Sequence, residues 1–153
     1  RPFRARTLLL GTLPALVFAL PSAAWEARIG EICELTHEAG DARWRVTYDP
    51  AVARYAITIT RAAQPWPASP VFAIRFEGGR NLAISTDRHV LSADGMALTV
   101  TDRGFGNVLR GLESNRRAVA VAGETSSVAA LDGPRPAAPA VADFRACVEG
   151  GLV

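Results

Sequence analysis

Ala42-Arg43-Trp44-Arg45-Val46-Thr47-Tyr48, then Asp49-Pro50-Ala51-Val52-Ala53, then Tyr55-Ala56-Ile57-Thr58-Ile59-Thr60 decide the fold class. The first run alternates strictly, with Trp44, Val46 and Tyr48 on one side and two arginines on the other. The second alternates again and gathers Tyr55, Ile57 and Ile59. Side chains of a strand point to opposite faces in turn, so each run has one apolar and one polar face. Aromatic and β-branched residues suit a pleated, half-buried surface. Asp-Pro breaks the pattern between the runs, which predicts an antiparallel hairpin with both apolar faces on the same side.

The same period continues outward from this hairpin. Val71–Phe76 places Phe72, Ile74 and Phe76 inward and Arg75 outward. Strands are also predicted over 81–86, 96–102, 118–122 and 128–131, separated by Gly-containing turns. The proline-rich stretch 64–70 lacks the donors of a strand interior and reads as a loop. At Gly104 the period changes: Phe105, Val108, Leu109 and Leu112 recur at i, i+3, i+4 and i+7, one stripe of a short helix with Asp102 near its start as a cap. A break at 133–139 precedes a last helix over 141–148, with Phe144 and Cys147 inward. These elements predict a mostly-β fold: a small antiparallel β-sandwich or partly open barrel, with one short inserted helix and a short C-terminal helix.

Residues 1–24 read differently. Arg1, Arg4 and Arg6 precede an apolar run through Leu20, and Pro21-Ser22-Ala23-Ala24 supplies small residues. That order is expected of a secretory signal peptide cleaved before Trp25, leaving one β-rich periplasmic domain over 25–153 and no stable membrane span. The apolar run is short of a spanning helix and carries Pro14. Its removal takes three of the 17 basic residues and leaves 14 against 15 acidic ones, a net of −1. The arginines that remain are scattered, so nucleic acid is not an expected partner. Every basic residue is arginine, and a P-loop cannot be built without its lysine.

Two cysteines, Cys33 and Cys147, stand near the ends of the predicted domain. In an exported chain they read as one disulfide that staples those ends. Together with His37 and His89 they lack the spacing of a metal site, and no cofactor motif is present.

Ser85, Asp87 and His89 form the densest polar cluster. On one strand they would share a face, and a hydrolase could be imagined from them, but no glycine-flanked nucleophile accompanies them. A structural turn is the competing reading. His37 is solitary and expected at the surface. Gly104-Phe105-Gly106-Asn107 matches neither the dinucleotide fingerprint nor a P-loop, and its glycines read as a tight entry that turns Phe105 into the core. Trp66, between two prolines, is either a contact for a partner or a lid folded back over the sandwich.

Five strings carry a resemblance to known proteins: Cys33-Glu34-Leu35-Thr36-His37-Glu38, Val46-Thr47-Tyr48-Asp49-Pro50, Thr86-Asp87-Arg88-His89-Val90-Leu91-Ser92, Thr101–Leu109 and Phe144-Arg145-Ala146-Cys147. Together they resemble a family of small secreted alphaproteobacterial proteins without an established activity. Some of its members bear the label of an excinuclease ABC component, a cytoplasmic ATP-dependent DNA-repair assignment that the export signal, the size and the missing lysine contradict here. The Phe-x-x-Cys ending is also similar to the invasion-associated locus B family of periplasmic β-rich proteins, although that family's internal cysteines are missing. Neither resemblance supplies catalytic residues. The function these observations predict is a non-enzymatic binding or envelope-accessory domain whose partner is a periplasmic protein or envelope component. The alternative is a small envelope hydrolase using the residues around His89.

Overall fold

A computed structural model describes residues 10–15 and 24–150. Of the predicted signal peptide, residues 1–9 and 16–23 lie outside the described residues. Among those residues no helix is long and apolar enough to cross a membrane.

The described residues form ten strands and two helices. The first sheet holds β1 (Glu26–Arg28), β2 (Cys33–Ala39), β3 (Ala42–Asp49), β4 (Arg54–Arg61), β7 (Val90–Leu91) and β8 (Ala97–Asp102). The second holds β5 (Phe72–Glu77), β6 (Leu82–Thr86), β9 (Arg117–Ala122) and β10 (Thr125–Ala130). Strand order is β1-β2-β3-β4-β8-β7 in one and β10-β9-β5-β6 in the other, and every pairing is antiparallel. Neither sheet closes on itself, so of the two predicted architectures the sandwich is the one formed.

The predicted hairpin sits at its centre. In the β3–β4 register Trp44 faces Ile59, Val46 faces Ile57 and Tyr48 faces Tyr55. Trp44, Val46, Ile57 and Ile59 are buried, as are Phe72, Ile74 and Phe76 from the opposing sheet. The Gly123-Glu124 turn joins β9 to β10, with Gly123 in the left-handed region at φ 59°. A residue with a Cβ is disfavoured there.

Helix α1 (Gly106–Glu113) buries Val108, Leu109 and Leu112 on the predicted stripe. It also buries Gly111, where an added Cβ would collide with the Phe76 ring. The helix thus lies on the sheet at a distance only glycine permits. Asp102 does not cap α1. Phe105 occupies the N-cap without a side-chain bond, and Asp102 Oδ1 accepts the Arg103 backbone N–H at 2.6 Å. Phe105 does turn into the core, but Gly104 and Gly106 have neither a left-handed φ nor a neighbour within 4 Å of an added Cβ, so the entry geometry does not require them.

Helix α2 (Ala137–Gly150) starts four residues before its predicted beginning. Pro139 lies in its first turn, where the missing N–H has no intrahelical partner to lose. Val141 and Phe144 are fully buried, and α2 packs on β1, β2 and α1. A disulfide joins Cys147 on α2 to Cys33 at the start of β2, with Cα atoms 5.9 Å apart and a sequence separation of 114. The guanidinium of Arg145 grips the Glu113 carboxylate at 2.9 Å, tying α2 to α1.

Three strands lie outside the predicted set: the two-residue β7, β1 and β2. In β2 the inward positions are Cys33, Leu35, His37 and Ala39, and all four are buried. In β1, Trp25 precedes the strand and gives its indole N–H to the Ala130 carbonyl at 2.8 Å, so this edge of the first sheet is fastened to β10.

Candidate functional site

The two sheets pack together where β2 meets β10, with Trp25 bonded to β10 beside them, and a cleft separates them at the opposite seam. There β6 is the terminal strand of its sheet, and β8 is only partly covered by the two residues of β7. Edge position shows in burial: on β5 the inward residues are buried, whereas Leu82, Ile84 and Thr86 on β6 are only half-buried. A cleft of about 740 Å³ opens along this seam. Its floor comes from two cross-strand pairs, Ile57 with Val100 on one sheet and Ile74 with Ile84 on the other. Phe105 closes one end of the floor.

The rim is polar and balanced in charge. Asp87 and Arg88 stand at the end of β6, and Asp102 and Arg110 at the end nearer α1. Among the described residues neither arginine has a carboxylate partner. Arg110 instead donates to the Asn107 side-chain oxygen at 2.6 Å. The cleft's volume lies in the range of small-molecule sites, with an apolar floor beneath a polar rim.

Ser85 and Asp87 line this cleft, but His89 does not. Strand β6 ends at Thr86, so the alternation that would align positions 85, 87 and 89 stops before the last two. Thr86 Oγ1 accepts the Arg88 backbone N–H at 3.0 Å and turns the chain away. His89 donates its Nε2–H to the Ser69 carbonyl at 2.9 Å and packs on Phe72, with ring centroids 6.0 Å apart. No hydrogen bond joins Ser85, Asp87 and His89 to one another. The structural turn is the arrangement seen.

Trp66 is 3 % exposed. Its indole N–H is given to the Ile59 carbonyl at 3.0 Å, its ring meets Phe72 edge-on, and the Arg61 guanidinium lies over it at 5.5 Å. Its geometry is that of the lid, with no free aromatic face for a partner.

His37 corrects the expectation of a surface residue. It is 3 % exposed, because the inward face of β2 carries it into the core. Its ring stacks on Trp25 at 4.5 Å and 4°. Among the described residues its buried Nδ1 has no partner. Burial holds its pKa below the ordinary histidine value, opposed by a hydrogen bond with the Ala24 backbone and by Glu38. Beside it runs a polar thread: Trp44 donates to Ser127 Oγ at 3.4 Å, and Ser127 donates to Asp41 Oδ1 at 3.2 Å. Among the described residues no group of three or more His, Cys, Asp or Glu side chains is arranged to hold a metal ion.

Sequence reasoning missed the cleft itself. Its one trace in the chain is the uncharged edge strand Leu82-Ala83-Ile84-Ser85-Thr86, whose apolar face has no second strand to cover it. No protein-family model, no curated protein and no solved structure matches the chain.

Proposed function

We propose that the chain is an exported, non-enzymatic binding domain of the bacterial envelope, and that its partner, a periplasmic protein or envelope component, is held in the seam cleft. The observation that carries this reading is the cleft: an apolar floor between two diverging sheets, beneath arginines that no carboxylate of the described residues engages. Three further features support it. The Cys33–Cys147 bridge belongs to an oxidising compartment. The apolar run before Ala24 has the order of an export signal. The resemblance to small secreted alphaproteobacterial proteins points to the same compartment.

The hydrolase alternative needs a base that orients a nucleophile. His89 spends its N–H on a backbone carbonyl, and no hydrogen bond joins it to the exposed Ser85. The test pairs two variants of the protein made in an oxidising compartment. Ile84→Arg, which drives a charge into the floor, should abolish capture of the partner from envelope extract while the circular dichroism spectrum is kept. His89→Ala should leave capture intact. A hydrolytic activity toward ester, amide or glycoside substrates that disappears in both Ser85→Ala and His89→Ala would overturn the reading.

A further inference from the structure

Two backbone edges border the cleft. Strand β6 pairs with β5 alone, and among the described residues no backbone bond joins 82–86 to anything else. Across the seam, β7 covers only Leu98 and Thr99 of β8, so Val100–Asp102 keep one edge unpaired. Exposed edges are ordinarily guarded by charge, proline or a bulge. Within Leu82-Ala83-Ile84-Ser85-Thr86 there is no charge and no proline, and β6 pairs in unbroken register with β5. The half-buried Leu82 and Ile84 show where the apolar cover of the second sheet runs out.

We propose that β6 is an acceptor for an incoming strand: a partner's extended segment, alternating apolar and polar, pairs along residues 82–86 and lays its apolar side chains into the cleft. This rests on the binding reading above and names the class of partner. The five residues of β6 offer about 17 Å of edge at roughly 3.4 Å per residue, enough to align a segment of similar length. Main-chain bonds to β6 would supply affinity, and the floor of Ile57, Ile74, Ile84 and Val100 would select alternate side chains.

Charge and hydrogen bonding choose this occupant over others. The rim carries two arginines, Arg88 and Arg110, and two aspartates, Asp87 and Asp102, so the groove has no net charge to attract a polyanion or an acidic head group. A hydrocarbon chain would cover the floor but leave both backbone edges unpaired, and a peptide backbone satisfies them. The complement to a neutral groove flanked by unpaired N–H and C=O groups is a neutral polypeptide strand.

The probe is a capped eight-residue peptide alternating valine with threonine, added to the full protein with its disulfide formed. Binding is read from amide hydrogen exchange and chemical shifts. Protection is expected at 82–86, with shifts at Val100–Asp102 and none at β10. Peptides N-methylated on alternate residues separate backbone pairing from mere apolar contact. One methylation register should lose affinity by about tenfold or more and the other should keep it. Ile84→Arg should also abolish binding, with its near-ultraviolet spectrum confirming the fold. The proposal is overturned if the wild-type protein binds no alternating apolar peptide, if both methylated registers bind equally, or if dodecanoate fills the cleft and the peptide does not. Self-association through β6 at the probe concentration, in preference to the peptide, also overturns it. If peptides fail while Ile84→Arg still abolishes capture from envelope extract, the binding reading stands and the strand inference falls. If neither has an effect, both fall.

Discussion

Replacing both Cys33 and Cys147 with alanine should remove a large part of the stability of this domain while leaving it folded at 25 °C. The bridge closes a loop with a sequence separation of 114. In the chain-entropy treatment, a loop of that length restricts the unfolded chain by about 4.8 kcal/mol at 25 °C. Residual structure in the unfolded ensemble lowers the realised figure, so about 3–5 kcal/mol is the expected loss. Domains are stable by about 5–15 kcal/mol, so most molecules should still fold. The contacts around the bridge support the same outcome. Val141 and Phe144 remain fully buried against the core, and Arg145 still reaches Glu113. That ion pair is partly exposed and contributes less than about 1 kcal/mol, so it cannot replace the bridge. The assay is equilibrium urea unfolding followed by tryptophan fluorescence and far-ultraviolet circular dichroism. With a slope of about 2 kcal/mol per molar urea, the midpoint should fall by about 2 M, while the native spectra match. A midpoint change under about 0.5 M would show that the ends are held by packing alone and would refute the staple. Loss of α2 helicity in the native baseline would show instead that the bridge positions the helix rather than restricting the unfolded chain.

Single contacts carry three more expectations. Gly111→Ala should destabilise by about 1–3 kcal/mol, because its Cβ enters the Phe76 ring; helix propensity alone would stabilise by up to about 1 kcal/mol, so the sign of the urea midpoint shift decides between them. Trp66→Ala should cost about 3–5 kcal/mol in the same assay, for lost burial and an orphaned Ile59 carbonyl, and unchanged stability would restore the exposed-contact reading. His37 titrates with a definite sign: its folded pKa is depressed by burial, so the neutral form is the one the fold holds. Its contribution is full above its unfolded pKa of about 6.5 and declines as pH falls through that value toward the lower folded pKa. His37→Phe, which keeps a ring on Trp25, should therefore flatten the loss of stability between pH 7 and pH 5, and identical pH profiles for variant and wild type would refute the assignment.

The chain wrote its central hairpin openly. Trp44, Val46 and Tyr48 against Ile59, Ile57 and Tyr55 form an unbroken apolar face, and register follows because a one-residue slip would turn that face to water. The stripe of α1 was equally legible. Strand β2 was not, because its inward face carries a histidine and two small residues while glutamates and a threonine occupy the outward one. Its burial depends on Trp25, which stacks on His37 and comes from beyond the strand. Helix α2 extends back through the predicted break, because Pro139 sits in its first turn and costs no helix bond there. The Ser85, Asp87 and His89 spacing suggested a shared face, and the end of β6 at Thr86 dissolves it. The cleft left almost no local mark, since it arises from the divergence of two sheets at their far edges. Only the tertiary arrangement brings Ile84 opposite Val100.

That arrangement is tested most directly by photo-crosslinking from defined positions in cells. A photoreactive residue replaces Ser85, exposed on β6 beside the cleft, or Ser126, exposed on β10 at the opposite edge of the same sheet. The expected result is a discrete adduct from position 85, absent from position 126 and lost when Ile84→Arg is added. Equal adducts from both positions, or an adduct from 126 alone, would contradict the seam cleft as the binding site.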